Sequence, residues 1–78
     1  MVTWWLNVFF LVHGVWLPGI YFDGWAPLPY ETRAACVARK QAGEENCARV
    51  PLEFRAAWVC SPGRPLVEPP SELNHVEC

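Results

Sequence analysis

From Val2 to Phe22 the chain reads VTWWLNVFFLVHGVWLPGIYF, and no charged side chain occurs before Asp23. An apolar run of this length with no polar face predicts a membrane helix, since about 20 residues at roughly 1.5 Å each span a hydrocarbon core of about 30 Å. Trp4 and Trp5 near one end, and Trp16, Tyr21, Phe22 and Trp25 near the other, fall where amphipathic rings gather at membrane interfaces. A cleaved signal peptide fits less well. No Lys or Arg precedes the run, and the nearest small-residue pair, Gly24-Trp25-Ala26, is followed by Pro27. A helix buried in a soluble domain fits less well again, because so short a chain offers little to cover a helix that is apolar all round. Pro18-Gly19 would end the helix early and leave a shorter, partly interfacial segment.

Beyond Phe22 the pattern changes. Residues 23–30, DGWAPLPY, hold two prolines and a glycine and read as a linker. Thr32 then predicts the N-cap of a helix through Ala34, Ala35, Val37 and Ala38, with Gly43 as its stop and Glu44-Glu45-Asn46 as a polar loop. From Leu52 to Cys60 the chain alternates. Leu52, Phe54, Ala56, Trp58 and Cys60 face one way, and Glu53, Arg55, Ala57 and Val59 the other, as in a half-buried strand. Pro62, Pro65, Pro69 and Pro70 make the tail extended, and Ser71 would cap a last turn, SELNHVEC. The expected fold class is therefore a single N-terminal transmembrane helix (residues 1–22) and a linker (23–30). A small disulfide-stabilised α+β domain of one helix and one or two strands (31–61) and a proline-rich tail (62–78) follow.

Cysteine placement sharpens this picture. All four thiols, Cys36, Cys47, Cys60 and Cys78, lie in the roughly 55 residues behind the apolar run, a size at which a core alone is marginal. An even count in a short chain with an export-like start reads as a disulfide framework in an oxidising compartment. Cys60 shares the strand face of Phe54 and Trp58, and the helix expected to cover that face holds Cys36. Cys36–Cys60 is thus the favoured pairing, with Cys47 in a loop clamping the tail at Cys78, while the other two connectivities stay open. A zinc site including His75 fits poorly, because cysteine spacings of 11, 13 and 18 residues contain no C-x-x-C pair. The string Arg33-Ala34-Ala35-Cys36 departs from an acylation box in carrying a charge three residues before the cysteine. Topology draws opposite signals. Arg33, Arg39 and Lys40 near the membrane exit favour a cytoplasmic C-terminus, whereas the thiols favour the outside, and the thiols weigh more. The expected location is the inner membrane, single-pass, with the C-terminal domain outside the cytosol.

Candidate chemistry is sparse. His13, inside the apolar run, reads first as a neutral imidazole bonded to a neighbouring helix and second as an axial ligand for a haem or chlorophyll-type macrocycle. Asn7 reads as polar glue between helices. No Ser/His/Asp ordering, phosphate loop or H-E-x-x-H occurs, so an enzyme is not expected, and neither is a metal or a resident cofactor. Six basic against eight acidic side chains, without a Lys/Arg cluster, argue against nucleic acid as a partner.

The apolar start, the Trp/Pro linker, Y-E-T-R-A-A-C and F-R-A-A-W-V-C together resemble small exported or membrane-anchored proteins of bacteria and their phages. The resemblance implies an envelope location; the group shares no activity. The reading that follows is an accessory or structural subunit packed against membrane lipid and a larger membrane protein complex. A free-standing envelope effector of the lysis or exclusion type is the second reading, and a secreted or virion-surface structural module the third.

Overall fold

The computed structural model describes residues 2–50, 55–70 and 75–76, and in it the apolar run is a β-hairpin. Strand β1 spans Trp4–Val12 and strand β2 spans Val15–Pro18, paired antiparallel from Phe9↔Pro18 to Val12↔Val15. The two-residue loop between them is His13-Gly14, with φ of 51° and 79°. Two positive φ values define a type I′ turn, whose twist matches that of the flanking strands. Histidine is among the non-glycine residues enriched in this left-handed region.

After a short 3-10 turn at Gly19–Tyr21 the chain returns to β1. Strand β3, Leu28–Tyr30, pairs with its first half, Trp4↔Tyr30 to Leu6↔Leu28. Gly19 permits this return. A Cβ there would lie 2.9 Å from the Val8 carbonyl oxygen and would also run into that of Trp25. Helix α1, Arg33–Arg49, follows, and then strand β4, Arg55–Pro62, which pairs along the opposite edge of β1 from Trp4↔Pro62 to Leu11↔Arg55. Strand β5, His75–Val76, joins β4. The antiparallel sheet runs β2-β1-β4-β5, with β3 beside β1 as well, so β1 is its centre.

Successive residues of β1 point to opposite faces. Trp4, Leu6, Val8, Phe10 and Val12 join Ala56, Trp58 and Cys60 on the front, under α1. Phe10 meets the rings of Phe22 and Trp25 edge-on at 4.9 and 5.1 Å, geometry that aromatic quadrupoles favour. Trp5, Asn7, Phe9 and Leu11 therefore take the back. Phe9 is fully buried there while Phe10 is 4% exposed in front, so the centre of β1 is covered on both faces.

The structure corrects the expected fold class. No helix among the described residues is long and apolar enough to cross a membrane, which removes the transmembrane anchor and with it the single-pass inner-membrane placement; this finding concerns helices and not membrane-spanning strands. The physical reason lies in the run itself. Its Trp, Phe, Val and Tyr residues suit a pleated surface, and His13-Gly14 and Pro18-Gly19 punctuate it at hairpin spacing. What stands from the expected class is a small domain of one helix on a sheet, with a disulfide.

Helix α1 begins as its sequence predicts, with Thr32 Oγ1 accepting the Ala35 N–H at 3.1 Å. It does not stop at Gly43. A Cβ on Gly43 would lie 3.1 Å from Trp58 Nε1, so this glycine marks close helix-to-sheet contact and not a C-cap. Glu44, expected in a loop, lies on α1 and pairs with Lys40 at 3.0 Å. The expected strand start at Leu52 and Phe54, the Ser71 cap and Cys78 lie outside the described residues.

Candidate functional site

The site is built on a stapled frame. Cys36 on α1 and Cys60 on β4 are disulfide-bonded, with Cα atoms 6.2 Å apart and 24 residues between them in sequence. Cys47 comes 11 residues after Cys36, about three helical turns, so it shares the face of α1 that meets the sheet. It is 3% exposed and also disulfide-bonded, and its expected partner Cys78 is beyond the described residues. Cys36, Gly43 and Cys47 are all small. Such a stripe brings α1 close to the sheet but buries little apolar area, which explains the need for covalent staples.

On the back of the sheet Asn7 organises the chain. Its Nδ2 faces three acceptors, Ser61 Oγ at 2.9 Å, Val59 O at 3.0 Å and Trp5 O at 3.2 Å, while its Oδ1 accepts the Leu66 N–H at 2.9 Å. Ser61 Oγ in turn donates to Arg64 O at 3.0 Å. A buried amide with both ends satisfied is a strong local constraint. Here it pins residues 64–66, part of the proline-rich tail, across the back of β1. Asn7 thus binds its own sheet, where the sequence suggested a neighbouring helix.

The pinned tail and the 3-10 turn enclose a cleft of about 220 Å³ whose lining includes Trp5, Pro18, Tyr21, Pro27, Pro65 and Leu66. Ile20, Tyr21 and Val67 stand on its walls and are 65%, 73% and 79% exposed. None of the lining side chains is charged. Pro18, Pro27 and Pro65 also lack N–H groups, so an incoming chain would meet apolar surface and few main-chain donors. Trp5 also lines the cleft, and its buried Nε1–H has no hydrogen-bond partner among the described residues.

The other expected site residues are dispersed. Trp4 and Trp5, expected together at one membrane interface, lie on opposite faces of β1, Trp4 packed against the front core. Trp16 is half-buried on β2 and Trp25 packs on Phe10, leaving Tyr21 alone among these rings fully on the surface. His13 is exposed at the hairpin tip. Among the described residues no three His, Cys, Asp or Glu side chains gather as a metal site. Sequence reasoning missed Ile20 and Val67; a turn signal followed by an apolar pair, as in Pro18-Gly19-Ile20-Tyr21 and Arg64-Pro65-Leu66-Val67, was the available clue. No protein family, curated protein or solved structure matches the chain.

Proposed function

We propose that this chain is a non-catalytic accessory or structural module that docks onto a partner protein through the cleft on the back of its sheet. The observation that carries the reading is the clustering of Ile20, Tyr21 and Val67, all more than half exposed, around one uncharged concavity. Contiguous exposed apolar surface marks interaction sites. The occupant that fits is an uncharged apolar segment of a protein, because the cleft offers side-chain-sized space and neither cations for a phosphate backbone nor a free row of main-chain donors. The Cys36–Cys60 staple supports assembly in an oxidising compartment.

A photo-crosslinking residue in place of Tyr21, in the full chain expressed in its native host, tests this. One defined adduct is expected from position 21, none from the same probe at exposed Ala38, and loss of the adduct with Ile20→Asp/Val67→Asp. Diffuse labelling insensitive to these substitutions would contradict the reading. Flotation with neutral phospholipid vesicles, abolished by the same pair, would replace the protein partner with a lipid surface.

A further inference from the structure

A second concavity lies on the opposite side of the molecule, between α1 and the front of the sheet. It has a volume of about 240 Å³, and its apolar lining comes from Leu6, Val8, Trp25, Leu28, Val50 and Trp58. Unlike the back cleft it carries a cation. Arg39 reaches over Gly43, and the point where a Gly43 Cβ would stand is 3.7 Å from an Arg39 guanidinium nitrogen and 3.1 Å from Trp58 Nε1. Two N–H donors thus converge within 4 Å of one point at the mouth of an apolar pocket. Neither has an acceptor among the described residues. Lys40, next to Arg39 in sequence, is already paired with Glu44, while among the described residues no carboxylate pairs with Arg39. The absence of a side chain at Gly43 keeps that point open. Asn46 adds a further amide to the lining.

We propose that this pocket binds a small amphipathic monocarboxylate, its apolar body against Trp25, Leu6 and Val8 and its carboxylate held between the Arg39 guanidinium and the Trp58 indole N–H. Donors without acceptors select an anion, and a guanidinium fork suits a carboxylate. An apolar interior with few convergent polar groups is the general form of a small-molecule site. The volume suits a medium-length acyl chain. Arg39 and Trp58 line this pocket and not the back cleft, with which it shares Val8.

Titration of the oxidised full chain with decanoate, followed by intrinsic tryptophan fluorescence and by calorimetry, tests the assignment. Saturable one-to-one binding is expected, weakened at least tenfold by Arg39→Gln, a change to a solvent-exposed side chain that should leave the disulfides and circular dichroism unaltered. The uncharged 1-decanol should bind more weakly than decanoate to the native chain and equally to both proteins. Trp58→Phe, which keeps an aromatic ring but deletes the N–H, should weaken decanoate more than 1-decanol. Absence of saturable binding, or equal affinity of native and Arg39→Gln protein for decanoate, would overturn the proposal. So would 1-decanol binding the native chain as tightly as decanoate.

Discussion

Two residues of the apolar run decide whether it is a hairpin, and each gives a prediction. His13 holds a left-handed conformation, φ 51°, that a β-branched residue resists. His13→Val should destabilise the fold by about 1–2 kcal/mol and His13→Gly should leave it unchanged or slightly more stable, measured by urea unfolding. In a helix the order would reverse, because there valine outranks glycine. Asn7 is 1% exposed and binds four partners. Asn7→Leu should cost about 2–4 kcal/mol, since it strands the Leu66 N–H and takes the donor away from Ser61 Oγ, which keeps only its bond to Arg64 O. Amide exchange at Leu66 should accelerate while that of Val8 in the core of β1 remains slow relative to it. Both side chains were visible in the sequence as oddities in an apolar stretch. Their roles were not, because a lone amide or imidazole looks alike in a bilayer and in a sheet until its neighbours are known.

At the scale of elements, legibility followed burial. The alternation over Arg55–Cys60 could be read because Ala56, Trp58 and Cys60 share the face that meets α1 while Arg55 falls on the other, and Thr32 could be read because capping is local. The nine residues of β1, WWLNVFFLV, show no alternation, since this central strand is covered on both sides. A strand buried on both faces and a membrane helix present the same unbroken apolar text, which only length and turn signals separate. The end of α1 was hidden for a different reason: Gly43 reads locally as a stop, but its lack of a side chain serves a contact with Trp58, far along the chain. The favoured Cys36–Cys60 pairing rested on which strand face carries Cys60 and which element covers it, and that bridge is present. By chain entropy, closing its loop of about 25 residues contributes roughly 3.5 kcal/mol. Cys36→Ser and Cys60→Ser should therefore each lower stability by a similar amount, and the double variant by little more than either. Additive losses in this cycle would mean that the two thiols are bonded elsewhere.

At the scale of the molecule, one sheet separates two surfaces of different chemistry. The back carries an uncharged cleft ringed by exposed Ile20, Tyr21 and Val67; the front carries a pocket with Arg39 at its mouth. Both exist only if β1 is the shared central strand, because its alternate residues, Leu6 and Val8 in front and Trp5 and Asn7 behind, contribute to the two linings. The most direct measurement of that claim is solution NMR of the oxidised chain in detergent-free buffer. It should show cross-strand Hα or amide contacts joining Phe10 to Leu17 and Val8 to Trp58, with extended-backbone carbon shifts over Trp4–Val12. Helical shifts across Trp4–Val12, with sequential amide contacts in place of cross-strand ones, would contradict it.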